Sequence, residues 1–272
     1  MSGTIIVDKR SLETIPADQR TEGPYERPFN PALITDASTN CTGCGSAGCH
    51  TGSFLPDEGV NGCPMENNIP EINKAFEQGA WAEAQENQQT ADRHYKQAFD
   101  VSWRTNRWGL LTGSLCPADK LCEGGCIYKG TKQGSILIRG IEREVHRKAW
   151  ESGWVPPLQQ KHNLGKSIAI VGSGFAAISA AEMAFEEGYD VTIVERSPVA
   201  GGLGAIGIPR LKMAYADMAN YTNRLKEAGI NIQTGVTVGA QTAGNTVSFD
   251  QLAQDHDAVI IATGKYKPKD PV

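Results

Sequence analysis

Hydrophobic positions along this 272-residue sequence change their period part-way through the chain. Ile69, Ile72, Ala75, Phe76 and Ala80 recur at three- and four-residue spacing, which predicts a helix from Ile69 to Ala84 with one buried face. Tyr95, Phe99 and Trp103, four apart, predict another helix between Ala84 and Thr105, whose apolar stripe suits a core better than a partner surface. A third helical pattern runs from about Ile136 to Trp150, after which Pro156, Pro157 and a polar run to Gly165 break all periodicity and mark a domain boundary. Beyond Lys166 the order becomes strand (Ser167 to Val171), glycine turn, helix (Phe175 to Glu187, stopped by Gly188) and strand (Val191 to Val194), which is a βαβ unit. Asp217 to Ala228 predicts a further helix ending at Gly229, and Ala258 to Thr263 a buried strand ending at Gly264.

The expected organisation is therefore an extended arm over residues 1–39, where Pro16, Pro24, Pro28 and Pro31 suppress periodicity, a helical domain over 40–156, and an α/β domain over 157–272. Lys and Arg total 26 against 31 Asp and Glu, a net charge of −5 without long runs of one sign, which argues against nucleic acid or an anionic membrane as partner. The apolar stretches are far shorter than the roughly 20 residues of a spanning helix, and Met1 to Arg10 lacks the apolar segment of a secretion signal, so a cytoplasmic location is expected.

Cysteine usage changes the picture most. All seven cysteines fall between Cys41 and Cys126, as Cys41-x2-Cys44-x4-Cys49, Cys63-Pro64, Cys116-Pro117, Cys122 and Cys126. An odd number in a reducing compartment argues against a disulfide framework. Close spacing lets several thiolates meet one iron–sulfur cube from a single loop, with Gly43, Gly45 and Gly48 freeing the backbone to wrap it. A structural zinc site explains Cys41-x2-Cys44 equally well but not two separate Cys-Pro pairs. His50 reads as a packing or hydrogen-bonding neighbour of Cys49.

Gly172-Ser173-Gly174-Phe175-Ala176-Ala177 follows a strand and opens a helix, and Glu195 ends the next strand. Gly172 allows a tight turn, Gly174 lets a pyrophosphate approach the backbone, and Ala177 keeps helix and strand close. The helix N-terminus offers N–H donors to phosphate, and Glu195 can accept from ribose hydroxyls. The pattern alone does not separate FAD from NAD.

The ordered set Cys41-Thr-Gly-Cys44, Cys49-His50, Gly62-Cys63-Pro64, Asn68-Ile69-Pro70, Thr112-Gly113-Ser114-Leu115-Cys116-Pro117, Leu121-Cys122-Glu123-Gly124 and Cys126 resembles the small subunit of NADPH-dependent glutamate synthase and the N-terminal region of dihydropyrimidine dehydrogenase. The likeness continues through the glycine turn, Gly201-Gly202-Leu203, Gly207-Ile208-Pro209 and Asp257 to Gly264. It implies an α-helical iron–sulfur domain followed by a Rossmann-like FAD-binding α/β domain, and two 4Fe–4S clusters with interleaved ligands. Cys41, Cys44, Cys49 and Cys126 would bind one cluster, and Cys63, Cys116, Cys122 and the carboxylate of Glu142 the other. FAD would lie along Gly172, Ser173, Gly174, Phe175, Ala176, Ala177, Glu195, Arg196, Gly202, Leu203, Lys212, Val238, Thr263 and Gly264. NAD(P)H would bind outside this chain segment, and electrons would pass to a catalytic partner subunit.

Three departures stand out. Phe175-Ala176-Ala177 replaces the family's Pro-Ala-Gly, Ser114 replaces an Arg beside a cysteine, and the region around Tyr95 is extended. The last two admit another partner oxidoreductase of the molybdenum, tungsten or pyrimidine-reductase kind. No Ser/His/Asp or paired-carboxylate arrangement suggests a general acid, base or nucleophile. From another class, a non-catalytic, metal-stabilised assembly module is the alternative.

Overall fold

The computed structural model describes residues 38, 40–55, 59–239 and 245–264. The expected arm thus lies outside the described residues apart from Ser38. By packing, the chain divides into a helical unit, Met1–Val155 with Arg210–Met213, and an α/β unit, Pro156–Pro209 with Ala214–Val272.

In the helical unit a short turn of helix α1 (Gly48–Thr51) precedes an antiparallel pair, β1 (Ser53–Leu55) and β2 (Gly59–Asn61). Four longer helices follow: α2 (Ile69–Ala84), α3 (Gln88–Trp103), α4 (Gly109–Leu115) and α5 (Ile138–Glu151). Pro70 starts α2 where a missing N–H costs nothing, and Asn87 caps α3 by accepting from Thr90 N at 3.1 Å. Helices α2 and α3 pack through Phe76 and Tyr95, whose ring centroids are 5.4 Å apart. This closeness needs Gly79, where a Cβ would stand 2.7 Å from the Tyr95 ring. The Tyr95 hydroxyl donates to Glu83 at 2.6 Å, and Phe99 meets His146 of α5 edge-on at 5.3 Å. Tyr95 and Phe99 are buried, so the predicted stripe is core. Helix α5 begins two residues later than its periodicity suggests, because Ile136 and Leu137 are buried but not helical.

In the α/β unit, β3 (Ser167–Val171), β4 (Asp190–Glu195), β5 (Asn231–Thr234) and β8 (Ala258–Ile261) form a parallel four-stranded sheet in the order β5-β4-β3-β8. Helix α6 (Phe175–Glu186) crosses between β3 and β4, α7 (Leu203–Ile206) and α8 (Tyr215–Glu227) lead to β5, and α9 (Phe249–Asp255) precedes β8. A small parallel pair, β6 (Thr237–Val238) and β7 (Thr246–Val247), lies between β5 and α9 in the chain. Strand β8 ends at Ile261, two residues before the sequence-based limit, as the chain leaves the sheet beside the β3 turn. Successive strands run from β3 to one side and β8 closes the other, so the sheet has a switch point at β3. In open α/β sheets ligands bind beyond the strand C-termini at such a point.

Candidate functional site

All seven cysteines are free thiols, and they fall into two sets. Cys41, Cys44, Cys49 and Cys126 border one small cavity of about 20 Å³ together with Pro70, Asn73, Ile136 and Ile138. Cys49 feels burial first and then Cys126, Cys41 and Cys44, and its thiol is pushed up to about 12. The Cys49 thiolate is therefore disfavoured without a positive centre beside it. Glycines let the backbone close on the space. A Cβ on Gly125 would lie 2.5 Å from the Gly48 carbonyl oxygen, and one on Gly62 2.3 Å from the Gly52 Cα. Among the described residues, no three His, Cys, Asp or Glu side chains converge on a point that would hold a single metal ion.

The second set is Cys63, Cys116 and Cys122 with Glu142. Burial and then Glu142 and Cys63 push the Cys116 thiol up to about 11. Cys122 is raised by burial, Glu123, Glu142 and Cys63, and Cys63 by burial and, more weakly, Glu142. Helix α5 thus carries a carboxylate to three thiols from loops 20 to 80 residues upstream. Burial pushes Glu142 up to about 7 against hydrogen bonds from Asn106, Asn67 and Thr112. Oε1 accepts from Asn67 Nδ2 at 2.5 Å and Asn106 Nδ2 at 2.8 Å. Asn67 in turn accepts from the Thr105 hydroxyl, and Asn106 donates to Thr112 Oγ1 at 2.8 Å. Oε1 of Glu142 is thus gripped by two carboxamides.

Ser114 meets the side chain of Arg143, whose Nε donates to its Oγ at 2.8 Å, while Arg139 donates to the Cys116 carbonyl at 3.3 Å. Positive charge beside Cys116 therefore comes from α5. Asn67, Asn73 and Asn106 are buried, and hydrophobic periodicity does not single them out. The signal available is a polar side chain within a predicted core stripe, Asn73, and carboxamides flanking the cysteine segments, Asn67 and Asn106.

In the α/β unit a cleft of about 310 Å³ opens at the switch point, lined by Gly172, Ser173, Gly174, Phe175, Ala176, Glu195, Arg196, Ser197, Gly202, Leu203, Ile206 and Ala262 to Gly264. Val238 lines an adjoining space with Glu195, Arg196, Thr263 and Gly264. Gly172 has φ +103°, and a Cβ there would stand 2.5 Å from the Ala262 carbonyl oxygen. Gly202, at φ +53°, crosses the helix start so closely that a Cβ would be 2.7 Å from the Gly174 Cα. Around Gly174 there is open space.

Glu195 accepts from Ser173 N at 2.9 Å and Ser173 Oγ at 2.6 Å on one oxygen, and from Ser197 N at 2.7 Å on the other. Burial works to raise its pKa, but these bonds together outweigh it and hold the carboxyl below its ordinary range. Ser173 Oγ also accepts from Gly201 N at 3.0 Å, tying the two glycine turns together. Phe175, where a proline is the family pattern, packs its ring near Gly204. Of the other expected cofactor positions, Ala177 is buried in α6 and Lys212 is exposed.

Sequence comparisons agree with both halves. Residues 87–154 match the family described as dihydropyrimidine dehydrogenase domain II, 4Fe-4S cluster. Residues 131–271 match the family described as pyridine nucleotide-disulphide oxidoreductase. The chain is 29% identical to the small chain of NADPH glutamate synthase from Azospirillum brasilense, over 99% of this chain and 50% of that one. It is 32% identical to the Bacillus subtilis small chain over 90% of this chain and 45% of that one. The Mycobacterium tuberculosis small chain is 34% identical over 88% and 42%. The chain thus spans about half the length of the curated relatives it matches.

Proposed function

We propose, starting from a chain that belongs to the pyridine nucleotide-disulphide oxidoreductase family, that this protein is an electron-transfer component carrying FAD and two 4Fe–4S clusters. The observation that supports the reading is the division of seven thiols into four around one cavity and three beside the buried Glu142. Thiolates suit iron–sulfur clusters, and a carboxylate is a harder ligand that gives its cluster a different potential. In this reading Cys41, Cys44, Cys49 and Cys126 hold one cluster, and Cys63, Cys116, Cys122 and Glu142 the other. Asn67 and Asn106 orient the carboxylate by occupying its other oxygen.

The cleft at Gly172–Ala176 suits the pyrophosphate of FAD, with Gly174 supplying room and the start of α6 supplying N–H donors. Glu195 is held ionised and oriented by Ser173 and Ser197, and it keeps spare lone pairs for a ribose hydroxyl. A bound flavin takes two electrons from a nicotinamide and can release them one at a time to clusters. The protein's own contribution is to bind, orient and exclude water. The receiving partner in this reading is a catalytic oxidoreductase subunit, with a glutamate synthase large chain as first candidate, and NAD(P)H binds outside this stretch of polypeptide.

Metal, acid-labile sulfide and flavin analysis of anaerobically purified protein tests the proposal. About eight irons per chain, two cubes of four, with equivalent sulfide and a flavin spectrum are expected. Zinc without sulfide would end it.

A further inference from the structure

Asn73 lies on the buried stripe of α2, among Ile69, Ile72, Ala75, Phe76 and Ala80, and is only 1% exposed. A carboxamide there interrupts an otherwise apolar surface. Its Nδ2 stands 3.4 Å from Cys41 Sγ, within reach of an N–H···S hydrogen bond, and it lines the cavity of the four-cysteine set. Its Oδ1 is buried with no hydrogen-bond partner. The other polar side chains in that lining besides the cysteines, Thr42 and Tyr128, bond to each other at 3.3 Å.

The orphaned oxygen follows from the chemistry of a ligated sulfur. A protonated thiol could donate to Oδ1 or accept from Nδ2, so either orientation of the amide would serve. A metal-bound thiolate can only accept. Turning the NH2 group towards Cys41 then leaves Oδ1 facing away from the sulfur, buried and without a partner. A leucine would fill this place in the core without an unpaired atom, so packing does not call for a carboxamide.

We propose that Asn73 is a positioning residue that raises the reduction potential of the group bound by Cys41, Cys44, Cys49 and Cys126 by donating a hydrogen bond to the Cys41 sulfur. The proposal rests on the cluster reading above. One-electron reduction adds negative charge that spreads over the ligand sulfurs, and an N–H dipole aimed at one of them stabilises the reduced form more than the oxidised form. Burial strengthens the effect by removing competing water.

The test is redox titration of the full chain, followed by paramagnetic resonance, for wild type, Asn73→Leu and the isosteric Asn73→Asp. Cys41→Ser identifies which signal belongs to the four-cysteine site. The expected result is a shift of that one signal to more negative potential in Asn73→Leu and further in Asn73→Asp, which exchanges the donor for a charge. The other signal keeps its midpoint, and iron and sulfide content stay at the wild-type level. Unmoved midpoints in both variants overturn the proposal, as does an equal shift of both signals. Loss of the cluster from both variants assigns Asn73 to assembly and overturns it as well. A wild-type chain without iron and sulfide instead defeats the cluster reading itself.

Discussion

Asn106 places its carboxamide nitrogen 2.8 Å from Oε1 of Glu142, on the side of the carboxylate that Asn67 also grips. This pairing makes a loop residue part of the support for a carboxylate on α5, the one proposed above as a cluster ligand. Removing such support costs about 10- to 100-fold in metal affinity. Asn106→Leu is therefore expected to lose iron from the three-cysteine site about 10- to 100-fold more readily under chelator challenge, with the four-cysteine site retained. Glu142→Ala should alter the paramagnetic spectrum of that same single site, and spectra unchanged at both would refute the ligand assignment.

Two glycines two residues apart should separate a loss of stability from a loss of flavin binding. Gly172→Ala puts a methyl group 2.5 Å from the Ala262 carbonyl oxygen at a positive φ, so strain of about 1–3 kcal/mol falls on the contact between β3 and the end of β8. Lower thermal stability and lower flavin content are expected together. Gly174→Ala meets open space, so it should fold with an unchanged melting temperature and bind FAD more weakly. Equal flavin affinity in wild type and Gly174→Ala would show that the pyrophosphate lies elsewhere.

Arg224 and Glu182 form an ion pair whose side chains are only 7% and 4% exposed, and Arg224 Nε also donates to the Pro156 carbonyl at 3.0 Å. Removing one charge from a buried pair costs about 3–5 kcal/mol. Arg224→Met should destabilise the α/β unit by that order in urea titration followed by flavin release. Arg224→Met with Glu182→Leu should recover much of the loss, because no charge is then left in an apolar setting.

His146 is fully buried, with Nε2 3.0 Å from Ser102 Oγ, and burial pushes its pKa down to about 3. The unfolded chain takes up a proton near pH 6.5 that the folded chain refuses. This group's contribution to stability is therefore complete above about pH 6.5 and is lost as pH falls towards 3, by at most about 1.4 kcal/mol per unit. His146→Gln, which keeps a hydrogen-bonding group but not the titration, should show a shallower fall in denaturation midpoint between pH 6 and 5. Parallel profiles would mean that the imidazole protonates in place.

The elements with strong periodicity are legible in the sequence. Ile69 to Ala84 and Ser167 to Val171 match observed elements end to end, because each buries a face at a fixed repeat. Helix α4 does not show in the pattern, since Gly109 and Gly113 disguise it; they are there to admit the His146 ring and the Arg143 Cβ. Pairs as short as β6 and β7 carry too few residues to show a period. Glu142 comes into view only through family likeness, because in isolation Glu142-Arg143-Glu144 looks like a solvated helix face. Asn67 and Asn106 act through contacts made across 75 and 36 residues, which no local pattern encodes.

Cys116 and Cys122 side with Cys63 and Glu142, yet Cys126, only four residues on, joins Cys41, Cys44 and Cys49. In the proposed reading the polypeptide is laced through both centres. A nascent chain released before residue 126 would then complete neither of them, and maturation factors that deliver inorganic sulfide would have to act after this whole region has emerged from the ribosome.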